Sequence, residues 1–336
     1  MRQITGKDLS EIDESVSILI PMRNEERNVI GVLDSVSEQK YLIHHELLVL
    51  NDNSTDSTHD LLANFSSIRV IDGSELAPDW LGKNFACHQL VAHSTGDLLV
   101  FIDADVRIAP QAIAAAIISM KQWGWDFISP YPRQIAISFM ERLIQPLLQW
   151  SWLSSVPLRF AERAKFESMV IANGQFFVVK RSAYLATGGH KEIRSEVLDD
   201  LELARLLVRN GFRGGVANGS AIAECRMYAD GHELAAGYTK SLWRAFGGAT
   251  GSIFVTLYLL STGIAPIVLA LLGFRLAWIG YFLVVASRLI AAAKVRSTVS
   301  AALLHPLSIA VLLILIIRSW VNKWRGTLTW RGRKVA

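Results

Sequence analysis

The sequence predicts an α/β protein with a mostly parallel central sheet and helices on both faces, followed by helices that cross a membrane. Between residues 15 and 110, short apolar runs alternate four times with helix-type patterns. This alternation is typical of a parallel sheet that is covered on both sides. From about Gly247 onward the chain becomes apolar, and residues 245–274 include no charged side chain. A charge-free stretch of this length is sufficient for a membrane-spanning helix.

The composition limits the classes of protein to which the chain can belong. Its 336 residues are 51% hydrophobic and carry a net charge of +4, but no stripe of Lys and Arg with interleaved aromatic residues precedes residue 240. We therefore expect no nucleic-acid partner. The two cysteines, Cys87 and Cys225, are far apart and predict neither a disulfide framework nor a metal site. The polar N-terminal stretch has no apolar signal-peptide core, so we expect the globular part to remain in the cytoplasm.

Each predicted strand of the first half ends at a polar loop. The predicted strands are 15–20, 46–50, 68–71 and 98–102, and the predicted helices are 28–37, 60–65 and 85–93. The first strand stops at Pro21, and Gly96 ends the last of these helices. Because the carboxyl ends of parallel strands meet at one edge of a sheet, we expect the loops to form a ligand crevice there.

Two carboxylates, Asp103 and Asp105, directly follow the apolar strand at 98–102. A buried carboxylate without a partner costs several kcal/mol or becomes protonated, so its presence needs a physical reason. One reason is a divalent cation, since Mg²⁺ and Mn²⁺ prefer oxygen ligands and are often held by one or two carboxylates plus substrate phosphates. The alternative is that the pair only caps the next helix, near Pro110.

The other loops bring further polar side chains to the same edge, and this favours a binding site over helix capping. These side chains are Arg23, Asn24, Glu25 and Asp52. Lys83 opens the third helix and is either a surface lysine or a neighbour of a bound diphosphate. The glycines form neither a G-x-G-x-x-G motif nor a Walker loop, so a dinucleotide site and a P-loop both lack their defining residues.

In the second half, strands are predicted at 125–129 and 173–179, and Gly188-Gly189 interrupts the chain. A helix follows from residue 196 to Gly211, with Asp199 and Asp200 in its first part. Acidic side chains at a helix start are stabilised by the helix dipole, by about 0.3–1 kcal/mol. The functional alternative is that one of the two is a catalytic base that faces the crevice.

Residues 134–160 are apolar, but polar residues and one proline divide the segment into runs too short to span a bilayer. The interrupting residues are Glu141, Arg142, Gln145, Pro146 and Gln149. A helix in the membrane interface and a buried core helix both fit this composition. If the loops before residue 110 share a site with Asp199 and Asp200, the segment cannot cross the membrane once, because one crossing would separate them.

The C-terminal part contains an amphipathic stretch at 230–246 and then three apolar segments. The segment at 245–274 is a predicted span, 276–293 is a weaker one because it contains Arg288, and 301–317 is a clear one. Three crossings would put the basic tail opposite the catalytic domain, against the positive-inside tendency. The sequence therefore favours two crossings or a re-entrant segment at 253–291. Trp320, Trp324 and Trp330 with the basic tail predict an interfacial anchor.

Several motifs occur in an order that resembles the motif set of family 2 glycosyltransferases with the Rossmann-like GT-A fold. The resemblance covers roughly residues 15–225. The motifs are Ile20-Pro21-Met22-Arg23-Asn24-Glu25-Glu26, Asn51-Asp52-Asn53-Ser54-Thr55-Asp56-Ser57-Thr58, Gly82-Lys83, Asp103-Ala104-Asp105 and Asp199-Asp200-Leu201-Glu202-Leu203. The acidic pair of the family is usually Glu-Asp, where this chain has two aspartates.

The resemblance implies a role for each candidate residue. Asp200 matches the catalytic base, with Asp199 beside it. Asp105 would hold a divalent cation, Mg²⁺ or Mn²⁺, and Asp103 would contact the ribose and lie next to the metal. The residues implied in binding a nucleotide-diphosphate sugar are Pro21, Arg23, Asn24, Glu25, Asp52, Lys83, Asp103 and Ala104.

The chain lacks the Gln-X-X-Arg-Trp motif of processive polymer synthases, and its tail from Trp324 to Arg333 resembles a membrane-bound branch. That branch includes carotenoid and hopanoid-associated glycosyltransferases. The resemblance implies inverting transfer of one sugar, from a donor such as a UDP-sugar, to a membrane lipid at the cytoplasmic face of the cell membrane. Arg226, Tyr228 and Arg244 occupy the region of the missing motif and would serve the acceptor or the diphosphate.

Other functions stay open at this point. The same fold could transfer sugar to a polyprenyl phosphate or a polysaccharide, or could transfer a nucleotidyl group. A membrane protein that binds a nucleotide sugar without catalysis is a further alternative. The expected domains are a polar tail at 1–14, a GT-A domain at 15–230 with the interfacial segment 134–160, an amphipathic interfacial helix at 231–250, transmembrane helices at 251–320 and a basic tail at 321–336.

Overall fold

The computed structural model describes residues 1–7, 9–164 and 166–334, and the chain divides into two compact units. The first unit comprises Met1–Arg133 and Pro157–Cys225, and the second comprises Gln134–Val156 and Arg226–Ala336. Asp8 of the predicted polar tail and Val335 and Ala336 of the predicted basic tail lie outside the described residues. The domain boundaries expected from the sequence stay a prediction.

The strands are short and mostly apolar. In chain order they are β1 (Arg2–Gln3), β2 (Val16–Met22), β3 (His45–Asn51), β4 (Arg69–Asp72), β5 (Leu98–Ile102), β6 (Val106–Ile108), β7 (Phe127–Tyr131), β8 (Arg133–Gln134), β9 (Phe176–Lys180), β10 (Gly214–Asn218), β11 (Ala223–Cys225), β12 (Thr329–Trp330) and β13 (Arg333–Lys334).

The helices of the first unit cover its sheet, and those of the second unit include the long apolar ones. In chain order they are α1 (Val29–Ser37), α2 (Thr58–Leu62), α3 (Gly82–His93), α4 (Ala112–Gln122), α5 (Phe139–Ser155), α6 (Leu158–Ala164), α7 (Arg181–Ala186), α8 (Asp199–Arg209), α9 (Gly231–Ala245), α10 (Ala249–Leu259), α11 (Ala265–Leu271), α12 (Ala277–Lys294) and α13 (His305–Trp324). The chain also forms short 3₁₀ turns at Glu167–Met169 and Gly189–Lys191 and a π-helix at Leu260–Ile264.

The central sheet has eight strands in the order β1-β10-β7-β9-β5-β2-β3-β4. Neighbouring strands are parallel except β9, which runs antiparallel to both β5 and β7. The predicted α/β class with a mostly parallel sheet is thus confirmed. Because β2, β3 and β5 are parallel neighbours, the loops after them start at one edge of the sheet, as the strand pattern predicts.

Burial on both faces explains why these runs form the middle of the sheet. All five residues of β5 are buried, and β2 contributes Ile18, Leu19 and Ile20, each with no exposed surface. Burying an aliphatic side chain of this size stabilises the fold by about 1.5–3 kcal/mol. On β7 and β9 the rings of Phe127 and Phe177 stack at a centroid distance of 5.6 Å.

Strand β2 continues through Pro21, where the sequence predicted its end. Pro21 pairs in register with Leu50 of β3, while the pairing of β2 with β5 ends at Leu19 and Phe101. Beyond that point β2 has a neighbour on one side only, so a residue without an N–H fits there without losing a ladder hydrogen bond. The strand thus extends to Met22, directly before the first candidate loop.

In the helical second unit, three helices among the described residues are long and apolar enough to cross a membrane. They are Ala249–Leu271, Ala277–Lys294 and His305–Trp324, by length and composition. Large side chains such as Phe254, 71% exposed, and Leu276, 80% exposed, suit contact with lipid. An even number of crossings would require that one of the three does not span, and the number of crossings stays a prediction.

Arg288, the charged residue that makes 276–293 the weaker predicted span, is buried in the helical unit. Arg288 of α12 is 3% exposed and donates to the Ser308 hydroxyl at 2.7 Å and to the Leu143 carbonyl at 3.0 Å. Leu143 lies in α5, three residues before Pro146. Helix α5 begins with a capping box formed by Ser138 and Glu141.

Candidate functional site

The centre of the candidate site is the ammonium group of Lys83, at the start of α3. It lies 2.8 Å from Asp103 Oδ1 and 3.4 Å from Asp199 Oδ2. Burial alone would lower the pKa of Lys83, but Asp103 and Asp199 raise it well above its usual value. Lys83 therefore stays charged and links the end of β5 to the start of α8.

Asp200 is held by two backbone N–H groups. Gly174 donates to its Oδ2 at 2.7 Å, and Leu201 donates to its Oδ1 at 2.7 Å. Burial and the neighbouring Asp199 raise the pKa of Asp200 to about 6, although Lys83 and the two N–H groups act in the opposite direction. A carboxyl group with a pKa near neutrality is suited to accept a proton during catalysis. Asp200 also lies in the first turn of α8, where the helix dipole stabilises a negative charge.

Residues 173–175, just before β9, connect Asp200 to Asp103. The Ser129 hydroxyl donates to the Asn173 carbonyl at 2.9 Å and accepts from the Asn173 N–H at 2.8 Å. One residue on, Gly174 binds Asp200, and the Gln175 carbonyl accepts the backbone N–H of Asp103 at 3.1 Å. One short segment thus fixes the Asp200 carboxylate and the backbone of Asp103. The sequence predicted a strand from residue 173, but the strand begins at Phe176 because residues 173–175 make these contacts instead.

Asp105 has a buried oxygen, Oδ1, without a hydrogen-bond partner among the described residues, and the Cys225 thiol bonds the carboxyl group. Burial, Asp103 and Glu25 raise the pKa of Asp105 to about 7. An unpartnered carboxylate oxygen next to other acids is the environment in which a divalent cation replaces the missing donor. Within residues 1–7, 9–164 and 166–334, no three His, Cys, Asp or Glu side chains form a group that could hold a metal ion. A cation at Asp105 would therefore take further ligands from substrate phosphates and water.

The loops after β2 and β3 are bonded to each other. The guanidinium of Arg23 donates to the carbonyls of Asp52 and Asn53 at 2.6 and 2.9 Å. Asn24, in a left-handed conformation with φ of 52°, accepts the N–H of Thr55 at 2.8 Å through its side-chain oxygen. Asp52 is 4% exposed. These contacts explain the polar composition of both loops and give the crevice a preformed wall.

Glu25 and Ala104 lie in the same framework. The backbone N–H of Glu25 donates to the Thr58 hydroxyl at 2.8 Å, and its carboxylate accepts from Asn28 Nδ2 at 2.7 Å. The Ala104 carbonyl accepts from Arg107 at 2.9 Å. Ala104 is buried, so its contribution is made by backbone rather than by side chain.

A small open pocket, with room for about 20 Å³, lies beside these groups. Its lining includes three aspartates and Lys83, but most of the surface that faces the pocket is apolar. The lining residues are Pro21, Lys83, Cys87, Phe101, Asp103, Gly174, Phe177, His190, Asp199, Asp200 and Leu203. Sequence reasoning did not identify Cys87, Gly174 or His190 as site residues. In the sequence, the Gly188-Gly189 pair alone indicated a turn with unusual backbone angles before His190.

A further residue that the sequence did not reveal is Asn84, which follows Lys83. Its side chain is 1% exposed, and Nδ2 donates to the carbonyls of Ile193, Arg194 and Glu196 at 2.7, 3.2 and 3.0 Å. These carbonyls belong to the loop that delivers Asp199 and Asp200. The start of α3 thus holds both the acid pair, through Lys83, and the loop before it, through Asn84.

The three residues predicted for the acceptor or diphosphate region belong to the helical unit. Tyr228 is 6% exposed, and its ring packs against the backbone of Gly237, where a Cβ would lie 2.6 Å from the hydroxyl. Arg226 donates weakly, at 3.4 Å, to the Ala229 carbonyl, and Arg244 lies in the last turn of α9. Their role in binding stays a prediction.

Comparison with known proteins agrees with this geometry. The family model described as "Glycosyl transferase family 2" matches residues 17–187. A 4,4'-diaponeurosporenoate glycosyltransferase of Staphylococcus aureus strain MRSA252 is 26% identical over 352 residues, covering 99% of this chain and 91% of that protein. The enzyme of the same name from strain USA300 is 25% identical with the same coverage.

A solved structure shows the same fold. A mannosyltransferase from Pyrobaculum calidifontis, in complex with GDP-Man and Mn²⁺, superposes with a TM-score of 0.57 at 19% identity, covering 94% of this chain and 90% of that one. The family model spans more than half of the chain, and the loops that it covers include all the predicted motifs up to Asp105. The chain therefore belongs to glycosyl transferase family 2 and is a glycosyltransferase, as its motifs predicted.

Proposed function

We propose that this glycosyltransferase moves one sugar from a nucleotide-diphosphate sugar to an apolar membrane lipid, with inversion at the anomeric carbon and with a divalent cation. The observation that carries the proposal is the meeting of Asp103, Lys83, Asp199 and Asp200 around one cavity. The same chain has helices of membrane-spanning length, which is the property expected of an enzyme whose acceptor is held in a bilayer.

The donor is assigned to the crevice at the carboxyl edge of the sheet. In this proposal Pro21, Asn24 and Glu25 line the nucleotide pocket, Asp52 hydrogen-bonds the base and Asp103 binds the ribose. The bonds between the Arg23 loop and the Asp52 loop support it, because a preformed pocket loses less conformational freedom on binding. Lys83 neutralises part of the charge of the diphosphate.

The cation, Mn²⁺ or Mg²⁺, is assigned to Asp105, with Asp103 beside it. Support comes from the unpartnered oxygen of Asp105 and from the Mn²⁺ in the mannosyltransferase of the same fold. When bound, such a cation neutralises the negative charge that develops on the diphosphate leaving group. The chain's own contribution is to hold Asp105 at the end of β5 and to place Lys83 on the other side of Asp103.

Asp200 is the proposed general base. As the acceptor oxygen, from a hydroxyl or a carboxyl group, forms a bond to the anomeric carbon, the bond from that carbon to the diphosphate oxygen breaks, and the nucleotide diphosphate leaves with its electron pair. When the acceptor is a hydroxyl, its proton passes to Asp200. A single displacement inverts the anomeric centre, and one carboxylate at the acceptor suffices, unlike the two acids of glycoside hydrolases.

The proposed acceptor is an isoprenoid or carotenoid-type lipid. The curated relatives carry a carotenoid acid in their printed names and cover nearly the whole of this chain, including its helical unit. Arg226, Tyr228 and Arg244 are the residues of that unit that we assign to the acceptor or diphosphate region. Catalysis is assigned to the cytoplasmic side of the cell membrane, where nucleotide sugars are made.

The test compares lipid extracts from cells with and without the gene by mass spectrometry, together with cells that carry Asp200→Asn. We expect one glycolipid to disappear in both the deletion and the variant strain. Purified Asp200→Asn protein should still bind UDP or GDP with Mn²⁺, because the substituted side chain is assigned to the acceptor and not to the nucleotide. Wild-type protein that binds neither nucleotide, or a variant that keeps full turnover, would contradict the proposal.

A further inference from the structure

The turn before His190 is built around one tyrosine ring. Gly188 and Gly189 have φ of 79° and 54°, in the region that glycine adopts most readily. A Cβ on Gly189 would lie 2.1 Å from the ring of Tyr184, so the backbone could not approach the ring with any other residue. The two glycines therefore allow the Tyr184 hydroxyl to reach the next residue of the chain.

That hydroxyl contacts His190 twice. It accepts the backbone N–H of His190 at 3.0 Å and lies 2.9 Å from Nδ1 of the same residue. If Nδ1 carried a hydrogen, the hydroxyl would receive two donors and its own hydrogen would have no acceptor among the contacts of Tyr184. The arrangement that gives every hydrogen an acceptor has the hydroxyl donating to Nδ1. The remaining proton of the imidazole is then on Nε2.

His190 is held as a neutral ring at the cavity. It is 3% exposed, its ring meets Phe101 edge-on at 5.2 Å, and burial lowers its pKa to about 4. The cavity that it lines also has the side chains of Lys83, Asp103, Asp199 and Asp200. Carboxylates accept hydrogen bonds from sugar hydroxyls, but a hydroxyl oxygen also needs a donor, and a neutral N–H supplies one without attracting the diphosphate.

We propose that His190 is a sugar-binding residue, whose Nε2–H donates to a hydroxyl oxygen of the donor sugar. This inference rests on the proposed function, because it takes the cavity next to Asp200 as the place of the sugar. Tyr184 acts as a positioning residue that fixes the tautomer, and Gly189 makes the contact between the two possible. The Gly188-Gly189-His190 sequence thereby contributes to recognition of the donor sugar.

The test separates binding of the sugar from binding of the nucleotide. With Mn²⁺ present, the full-length protein in lipid nanodiscs is titrated calorimetrically with UDP-glucose and UDP, and with GDP-mannose and GDP. The ratio of the dissociation constants of sugar nucleotide and nucleotide isolates the sugar contribution. It is measured for wild type, His190→Phe, His190→Ala and His190→Gln, and for His93→Phe as the control, since His93 is exposed at the end of α3.

In His190→Phe and His190→Ala we expect the ratio to rise by about three- to ten-fold, the value of one neutral hydrogen bond. His190→Gln retains an N–H donor at similar reach and should stay within about two-fold of wild type, as should His93→Phe. A purely structural role of His190 would change all three His190 variants alike. An unchanged ratio in both His190→Phe and His190→Ala, or an equal rise in His190→Gln, would overturn the inference. Wild-type protein that binds no nucleotide would instead refute the proposed function.

Discussion

The backbone of Gly174 lies so close to Asp200 that a side chain on residue 174 would crowd the aspartate. The N–H group donates to Oδ2 at 2.7 Å, and a Cβ on Gly174 would lie 3.0 Å from Asp200 Cβ and 3.4 Å from Lys83 Nζ. The proposed base is thus positioned by a peptide group of the segment before β9, and its geometry depends on the absence of a side chain there.

Replacing Gly174 with alanine should therefore impair catalysis more than folding. The added methyl group would displace Asp200 by a few tenths of an ångström, and since a displacement near 1 Å can lower turnover by about a hundred-fold, this smaller shift should have a smaller effect. We expect kcat to fall by about three- to ten-fold, while the affinity for UDP or GDP changes little. The measurement is transfer to extracted membrane lipid, alongside nucleotide binding.

A suitable control is Gly280→Ala in α12. There a Cβ would meet Pro266 at ordinary contact distance, 3.4 Å, and alanine favours a helix over glycine by about 1 kcal/mol. Turnover of this variant should match wild type. Equal activity of Gly174→Ala and Gly280→Ala would show that the contact with Asp200 does not set its catalytic position.

The raised pKa of Asp200 predicts an acidic limit to activity. The base works in its ionised form, and its pKa of about 6 lies above the usual value near 3.9. With a hydroxyl acceptor, kcat/KM should be constant above about pH 7 and should fall roughly tenfold per pH unit below pH 6. Asp199 contributes to this shift, so Asp199→Asn should move the limit to lower pH. A profile that stays flat down to pH 4.5 would argue against Asp200 as the base.

Asn84 should matter through the loop that it holds. Asn84→Ala removes the side-chain donor to three carbonyls before the acid pair. Because the Ile193 and Arg194 carbonyls keep a backbone donor, we expect a cost of about 0.5–1.5 kcal/mol. We expect a lower free energy of unfolding and a reduced kcat. Asn210→Ala is the matched control, because Asn210 is exposed and its side chain donates within its own helix, to the Leu206 carbonyl. If both variants lose stability equally, the loop contacts of Asn84 are not the cause.

The fold and the outer loops of the site could be predicted from sequence because their signals are local. Apolar runs ended by Pro21 or by Asp103 are visible in a few consecutive residues, and a parallel sheet then brings their ends together. Strand β10 was missed, since Gly214 and Gly215 have low strand propensity. It forms because it pairs with β7, and a Cβ on Gly214 would lie 2.2 Å from the Phe127 carbonyl.

The inner parts of the site could not be predicted, because they depend on contacts between distant residues. Gly174 and Asp200 are 26 positions apart, and Asn84 reaches a loop more than a hundred positions away. Neither residue type indicates such a contact by itself. The sequence could name Asp200 because the acid pair resembles a family motif, but not the backbone that holds it.

The unpartnered oxygen of Asp105 predicts opposite effects on stability and on metal response. Asp105→Asn removes a carboxylate that burial, Asp103 and Glu25 destabilise, so the metal-free variant should melt at or above the wild-type temperature at pH 8.

Chelation with EDTA should stop sugar transfer by wild type, and Mn²⁺ should restore it. In Asp105→Asn, the rise in melting temperature that Mn²⁺ and UDP or GDP give together should be lost, while that from nucleotide alone persists. Asp97→Asn serves as the control, since Asp97 bonds Ser15 at the other end of β5. Full Mn²⁺ response in Asp105→Asn would place the cation elsewhere.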